Sequence, residues 1–480
     1  MKLTNSTKIL LILILIFYSW IAFLNTFSVL KKHHTYYYYN HLAKAFLNGQ
    51  LHLKIKPPEE LLKLPNQYDP DLNRKFRNSG SHDLSLYKGR FYLYFGAVPV
   101  LLLYIPFQLI TKHDLPDGFA NVIFCFGTLI WLILLLTHLK KKYFGGIPNW
   151  FISVSILICA FSNIGLFLIA HPLVYEVSSC CSCFLLTGAI YFLCLGVSEL
   201  KNIKCFILGS IFCGLAVGTR AQNLLAAGLL LFFISIQYLN KKSGYKILFS
   251  LIFPFGVLVL ILAIYNYLRF ENIFEFGINY QLTYADVSKY KLANAFTLKP
   301  QKILSNTYSF LFQPPRVNLI SPFIHLNAWK AFYILPEAPN ALFPIVGLFT
   351  GNPFTILCLL FPFVYLNHKK NKHLQNAQFP INEFCIIILP GLINLLLHIT
   401  FSLVIIRYSS SFTTNFILAS CIIWFYLDNI ISNQIKIYLR TIIIVLSIIS
   451  IVFGASMSLE GCARKTNITL EKIYSKVKIN

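Results

Sequence analysis

The sequence predicts an all-α polytopic membrane protein with about eleven transmembrane helices, and three observations support this prediction. Of the 480 residues, 56% are hydrophobic and only 12% are charged, about half the charged fraction of a soluble domain. Apolar runs of roughly 20 residues, the length that crosses a bilayer as a helix, recur from end to end. No polar stretch is long enough to build a soluble core, so we expect a single integral membrane domain over residues 1–480.

The apolar runs define the spans. We predict them at 9–30, 118–139, 150–170, 176–197, 203–219, 222–239, 246–268, 341–366, 382–403, 408–427 and 437–458. A further segment, 91–111, is interrupted by Pro99 and Pro106. If it crossed, the lysine cluster at 140–142 and the later lysine clusters would face away from Lys2 and Lys8. If it does not cross, every lysine-bearing connection lies with the amino terminus, as the positive-inside rule requires. We therefore predict a juxtamembrane or re-entrant segment at 91–111 and a cytoplasmic amino terminus.

This topology gives two long extracytoplasmic loops, at residues 31–117 and 269–338. Both exceed the length at which a connection needs no function. Only Glu199, Glu383 and Asp428 of the 17 acidic residues fall on cytoplasmic connections, so the outer face carries the polar chemistry. The tyrosine-rich block at 35–46 predicts an amphipathic juxtamembrane helix with its tyrosines at headgroup level.

The net charge of +24 does not indicate a nucleic-acid partner. The lysines occur in short clusters between apolar runs, where topology signals occur. Most of the 12 cysteines fall inside apolar runs, where cysteine behaves as a small hydrophobe. Their spacing supports neither a zinc site nor a disulfide framework. The predicted partner is the lipid bilayer.

Two arginines and a glutamate fall at membrane depth near the outer face. Arg220 and Arg407 lie in connections with almost no loop, and Glu176 begins a span, five residues after His171. Ionisable residues at this depth are costly and usually pair or line an aqueous path. Snorkelling, or an ion pair with Glu176, would explain the arginines structurally. Alternatively, their guanidinium groups suit a phosphate or pyrophosphate, which they bind with bidentate, charge-assisted hydrogen bonds.

The first loop supplies the candidate catalytic carboxylates. Asp69 and Asp71 lie in Tyr-Asp-Pro-Asp-Leu-Asn, a good Asx-turn sequence. Asp83 precedes the basic residues Lys88 and Arg90 and could cap a juxtamembrane helix or act as a general base. We prefer Asp83 as the base because it lies closest to the membrane surface.

The arrangement resembles the GT-C class of membrane glycosyltransferases, which includes protein mannosyltransferases and aminoarabinose transferases. Tyr39–Gly49 looks like the first-loop helix of that class, and Asp83–Pro106 resembles its proline-containing juxtamembrane helix. Gly214–Arg220 is similar to a span that ends in a basic residue near the donor phosphate, and Arg407-Tyr408 to an arginine-tyrosine pair in a late span. The class usually carries an acidic residue just after the first span, where this chain has Lys31-Lys32-His33-His34.

The resemblance implies an enzyme that moves a sugar from a polyprenyl-phosphate donor to an acceptor at the extracytoplasmic face. Arg220 and Arg407 would then hold the donor phosphate, and Asp83, or Asp69 and Asp71, would replace the missing acid. His171, Glu176, Lys88 and Arg90 would support them. No cofactor is required, and a divalent metal is compatible with the site. The acceptor is left open among lipid, glycan and protein, and the loop composition favours a bacterial inner membrane.

Two other functions are compatible with the sequence. One is a lipid-sugar flippase or small-solute transporter, although such proteins favour internal repeats and binding at the bilayer midplane. The other is a non-catalytic GT-C-like assembly protein, which the missing acid after the first span would suit.

Overall fold

The computed structural model of the chain describes residues 5–30, 37–199, 202–241, 244–284, 286, 296, 298–317, 324–326, 345–370, 379–401 and 403–477. Side chains are described in these ranges except at 25–30 and 460–477. Much of the predicted second loop, and the departure from the family pattern at residues 31–34, lie outside the described residues.

The described chain is almost entirely helical. The α-helices are α1 (Asn5–Leu30), α2 (Tyr38–Leu47), α3 (Glu59–Leu62), α4 (Arg74–Phe76), α5 (Ile105–Thr111), α6 (Asp117–Tyr143), α7 (Trp150–Phe161), α8 (Gly165–Ala170), α9 (Val174–Ser198), α10 (Ile203–Val217), α11 (Asn223–Ile236), α12 (Gly244–Phe270), α13 (Pro300–Leu311), α14 (Leu348–Gly351), α15 (Phe361–Lys370), α16 (Ile381–Thr400), α17 (Ser410–Ile430) and α18 (Asn433–Val477). Short 3-10 helices occupy Ile278–Tyr280, Pro353–Leu360 and Ile406–Ser409, and π-helical turns occupy Arg77–Ser81 and Val100–Tyr104. Two antiparallel hairpins pair β1 (Leu84–Tyr87) with β2 (Arg90–Leu93) and β3 (Arg316–Val317) with β4 (Ile324–His325).

Eight segments among the described residues are long and apolar enough to cross a membrane. They are Asn5–Leu24, Asp117–Tyr143, Trp150–Ala170, Val174–Ser198, Gly244–Phe270, Ile381–Thr400, Ile406–Ile430 and Asn433–Leu459. This confirms the all-α polytopic class. The count of eleven stays a prediction, because α10 and α11 have 15 and 14 residues and so reach only about 21–23 Å. The predicted span at 341–366 is divided, in its described part, between α14, a 3-10 helix and α15.

The segment at 91–111 is not a continuous helix. Its first part pairs in the β1–β2 hairpin, whose turn uses positive φ at Lys88 and Gly89, the geometry of a type I′ turn. The helical part, Val100–Thr111, has 12 residues and is about 18 Å long, too short to cross a bilayer core. The juxtamembrane placement stays a prediction, and the helix predicted to begin near Asp83 begins only at Val100.

The helix α2 forms where the tyrosine-rich block predicts one, and its first two tyrosines are buried in protein. Tyr38 and Tyr39 are 3% and 0% exposed. The ring of Tyr39 lies 5.4 Å from that of Tyr104, and the Tyr38 hydroxyl donates to the Gly80 and His82 carbonyls at 3.0 and 2.9 Å. These two side chains face protein because α2 packs against the π-helical turn at 100–104, and their placement at headgroup level stays a prediction.

The helix α9 joins two polar regions, one at each end of the bundle. It packs against α6, α10, α16 and α17. At its carboxyl end, the Lys142 amine donates to the Ser198 carbonyl at 2.8 Å, and the Ser198 hydroxyl donates to Glu383 at 2.7 Å. At its amino end lie Tyr175 and Glu176. A helix of 25 residues separates these ends by about 36 Å.

This separation predicts the result of cysteine labelling. Arg90 and Lys141 are both exposed, one near each end of α9. We expect Arg90→Cys to react with a membrane-impermeant maleimide added to the extracytoplasmic side, and Lys141→Cys to react only after permeabilisation. The unsubstituted protein gives the background from native cysteines. Labelling of both positions from the same side would contradict the orientation.

Candidate functional site

The Asp83 carboxylate lies at the entrance to the β1–β2 hairpin. Its backbone amide donates to the Leu282 carbonyl at 2.8 Å, which ties the first loop to the segment after α12. Asp83 has a positive φ of 60°, an uncommon conformation that aspartate tolerates better than most residues. Because a strand follows it, Asp83 does not cap a helix, and that structural alternative was wrong.

The Tyr175 hydroxyl donates a hydrogen bond to the Asp83 carboxylate. The His82 imidazole lies 3.6 Å from the same carboxylate oxygen, beyond hydrogen-bond distance. Burial is the largest influence on His82 and lowers its pKa; the Asp83 carboxylate opposes this shift and the Arg77 guanidinium adds to it. A neutral imidazole and a phenol therefore border the carboxylate, and the phenol donates a hydrogen bond to it.

The ring of Tyr175 links the carboxylate to the first arginine. The Arg407 guanidinium lies 4.3 Å above that ring, a cation–π contact. One Arg407 nitrogen lies 3.9 Å from the Glu176 carboxylate, at the outer limit of an ion pair. Both the Nε of Arg407 and the Oε2 of Glu176 are buried with no hydrogen-bond partner among the described residues. Such orphaned polar atoms are costly unless another group or water satisfies them.

The second arginine approaches the same group of side chains from the α10–α11 turn. The Arg220 and Arg407 guanidinium groups lie 5.9 and 5.8 Å from the Tyr408 ring. The His398 ring stacks on Tyr408 at 4.8 Å and 4°, and its Nε2 is 3.0 Å from the Ser411 hydroxyl. Glu176 and Asp83 balance the formal charge of the two arginines, but only Arg407 of that pair lies within ion-pair distance of either carboxylate among the described residues. Guanidinium groups with unused donors can bind an anionic ligand.

Close backbone contacts fix the Arg220 turn against the loop after β2. The Gly96 amide donates to the Thr219 carbonyl at 3.2 Å, and the Val98 amide donates to the Gly218 carbonyl at 3.3 Å. A Cβ on Gly96 would lie 1.9 Å from the Gly218 carbonyl oxygen. Only glycine permits this approach, because backbone atoms cannot rotate out of the way.

We therefore expect Gly96→Ala to disturb the site although Gly96 carries no functional group. Relieving the contact must separate the two loops and displace Arg220, at a stability cost of about 1–3 kcal/mol. Binding of a short-chain polyprenyl phosphate should weaken. Gly228→Ala on α11 is the matched control, because a Cβ there meets no atom within 4 Å. Equal binding by the two variants would mean that this contact does not position Arg220.

The structure does not bring every predicted residue into this group. The Asp69 carboxylate accepts from the backbone amides of Asp71 and Leu72 at 2.9 and 3.3 Å, the Asx turn that the sequence indicates. Lys88 pairs with Glu271 on the exposed hairpin turn, and Arg90 on the same turn is exposed.

His171 contacts Phe167, one turn earlier on α8. Its ring stacks on Phe167 at 4.1 Å, and its Nδ1 is 3.0 Å from the Phe167 carbonyl oxygen. These contacts orient the residue toward α8, so they give no support to the predicted role beside Glu176.

Sequence reasoning missed Tyr175 and His398, and it gave Tyr408 no role beyond its pairing with Arg407. Tyr175 and Tyr408 directly adjoin the singled-out residues Glu176 and Arg407, and that adjacency was the available signal. His398 lies in an apolar run with no such signal. It was missed because stacking on Tyr408 is a tertiary contact.

A metal centre is not apparent in the described part of the chain, where no group of three or more His, Cys, Asp or Glu residues lies close enough to hold an ion. Asp83 and Glu176 are the carboxylates of the candidate site, and each already has a protein partner. A divalent metal remains a prediction.

The fold and these side chains define a polytopic helical membrane protein with an arginine-bearing polar site at one end of its bundle. No protein-family model and no curated protein matches the chain.

Solved structures of the oligosaccharyltransferase of Archaeoglobus fulgidus match it. The apo form has a TM-score of 0.45 at 10% identity, over 94% of this chain and 56% of that one. The form tethered to an acceptor peptide has a TM-score of 0.41 at 10% identity, over 93% and 55%. The complex with an inhibitory peptide and a dolichol-phosphate has a TM-score of 0.43 at 12% identity, over 95% and 57%. The chain thus spans little more than half the length of these proteins, which are GT-C glycosyltransferases.

Proposed function

We propose that the chain is an inverting membrane glycosyltransferase that moves a sugar from a polyprenyl-phosphate donor to an acceptor hydroxyl. One observation carries the proposal. A carboxylate, two tyrosines and two arginines form a continuous series of contacts, Asp83–Tyr175–Arg407–Tyr408–Arg220, at one end of the bundle. This series joins a general base to an anion-binding pair, which are the two functions that the reaction needs.

In this reaction Asp83 acts as the base. The acceptor hydroxyl gives its proton to the Asp83 carboxylate, and its oxygen attacks the anomeric carbon of the sugar. The bond between that carbon and the donor phosphate oxygen breaks, and the polyprenyl phosphate leaves with the bonding electrons. Attack opposite the leaving group inverts the anomeric configuration. The Tyr175 hydroxyl holds the carboxylate in place.

The arginines bind the donor phosphate and stabilise the charge that grows on it as the bond breaks. Guanidinium groups bind phosphate oxygens in bidentate pairs. The partly satisfied Arg407 is suited to this, since its Nε lacks a partner among the described residues. Positive charge placed in advance at the leaving group is typically among the largest contributions to catalysis. Glu176 orients Arg407 through its side-chain contact.

The site faces the extracytoplasmic side in this proposal, and the membrane is a bacterial inner membrane. The support is the placement of charge along α9: Lys142 and Glu383 lie at its carboxyl end, and the candidate site lies at its amino end. Residues 31–117 and 269–338 then form the two outer loops of one integral domain. The proposed reaction steps involve no metal ion.

Transfer of radiolabelled sugar by the purified protein in nanodiscs tests the proposal. A matched set of undecaprenyl-phosphate sugars serves as donors, with a membrane lipid extract as the source of acceptors. We expect labelled product and release of undecaprenyl phosphate. Movement of intact labelled donor across a liposome bilayer without release of undecaprenyl phosphate would indicate a flippase instead. Donor binding without transfer from any donor would indicate an assembly protein.

A further inference from the structure

A second arginine–tyrosine pair adjoins Asp83 through His82. The Arg77 guanidinium lies 4.6 Å from the Tyr284 ring, and the His82 ring lies 4.7 Å from it. The Asp83 backbone amide bonds to Leu282, two residues before Tyr284, which holds the Tyr284 segment beside Asp83. Asp83 therefore adjoins two groups of side chains: Tyr175 with Arg407, and His82 with Tyr284 and Arg77.

Two features of this group are unusual for a purely structural cluster. Tyr284 is 75% exposed, so one face of its ring is open although the other covers Arg77. Arg77 is only 4% exposed, and its Nη1 has no hydrogen-bond partner among the described residues, while its Nε and Nη2 bond to Asn73 and Pro70. The Nδ1 of His82 is likewise buried and unpartnered in the described chain. A buried donor or acceptor without a partner is costly unless a ligand or water satisfies it.

We propose that Tyr284, Arg77 and His82 form the acceptor subsite and that the acceptor presents a saccharide ring there; this rests on the proposed function. An open aromatic face packs against the C–H face of a sugar ring, and neighbouring N–H groups bind its hydroxyls. The subsite places such a ring beside Asp83, which takes the proton of the attacking hydroxyl. An acyl chain would meet mostly polar side chains, so a lipid tail is disfavoured.

Saccharide binding tests the subsite. The probes are a panel of methyl pyranosides and short oligosaccharides, measured by saturation-transfer NMR on the full chain in nanodiscs. We expect at least one saccharide to bind, Tyr284→Ala to weaken it about 10-fold, the effect of losing an aromatic contact, and Tyr284→Phe to keep most of the affinity. Phe274→Ala is the matched control, because Phe274 is another exposed aromatic, at 81%, following α12.

A parallel measurement with undecaprenyl phosphate separates this proposal from the proposed function. Retained undecaprenyl-phosphate binding by Tyr284→Ala shows that the variant is folded. If undecaprenyl phosphate binds and no saccharide does, or if saccharides bind equally to Tyr284→Ala, the subsite is overturned and the donor site stands. If a peptide panel binds in a Tyr284-dependent way instead, the acceptor class is wrong. If saccharides bind as expected and undecaprenyl phosphate does not, the transferase proposal fails while the saccharide site stands.

Discussion

Replacing Asp83 by Asn is expected to lower the rate of sugar transfer by about 10²–10⁴-fold, the usual contribution of a general base. Asparagine has nearly the same shape as aspartate and still accepts the hydrogen bond from Tyr175, but its amide cannot take a proton from the acceptor. The backbone bond to Leu282 is unaffected. The fold and donor binding should therefore persist. Initial rates of transfer and undecaprenyl-phosphate binding, measured on the same preparation, check both halves of the expectation.

Asp69→Asn is the matched control for this variant. Both residues are first-loop aspartates, but the Asp69 carboxylate accepts two backbone hydrogen bonds in its own turn. Asparagine also forms this turn, so transfer should change by less than about threefold, within the usual effect of a surface substitution. Full activity in Asp83→Asn would remove Asp83 from the mechanism. Loss of transfer in Asp69→Asn with an unchanged melting temperature would indicate that Asp69, in its Asx turn, is the general base.

The helical membrane fold could be predicted because its signals lie along the chain. Apolar length predicts the spans and does not depend on distant contacts. The orientation that lysine placement indicates stays a prediction. The breaks in the helices could not be predicted this way. The predicted span at 150–170 divides into α7 and α8 at Ser162 and Asn163, where the Asn163 side chain donates to Thr414 on α17 at 3.0 Å. That bond depends on a partner 251 positions away.

The β1–β2 hairpin had a signal that the resemblance obscured. Leu-Ser-Leu-Tyr and Arg-Phe-Tyr-Leu flank Lys88-Gly89, a two-residue turn with glycine between strand-forming residues. Assigning this stretch to a juxtamembrane helix gave it the wrong periodicity. The error matters for the site, because the hairpin sets the direction of Asp83.

Of the candidate site, the sequence could predict only the charged residues. Arg220, Arg407 and Glu176 are conspicuous in apolar sequence because charge is costly there. Tyrosine is common near the membrane surface, so Tyr175 carries no comparable signal, yet it touches both Asp83 and Arg407. The linking residue of a site is recognised by its contacts, which a single sequence does not reveal.

Arg407→Gln is expected to weaken undecaprenyl-phosphate binding by about 10–100-fold, the worth of a charge-assisted hydrogen bond. The affinity of Arg407→Lys for undecaprenyl phosphate should lie between those of the unsubstituted protein and Arg407→Gln, because lysine keeps the charge but not the planar guanidinium group. Arg90→Gln is the control, since Arg90 is an exposed arginine on the β1–β2 turn. Equilibrium binding in nanodiscs at fixed salt measures the effect.

The same variant distinguishes a phosphate site from a structural ion pair. Glu176 is 4% exposed, and removing its partner leaves a carboxylate uncompensated, so Arg407→Gln should also lower the melting temperature. Adding Glu176→Gln removes that carboxylate charge, and the double variant should regain stability. If Arg407 binds donor phosphate, the double variant still binds undecaprenyl phosphate weakly. If stability and binding recover together, Arg407 serves only to neutralise Glu176, and the anion site must rest on Arg220 alone.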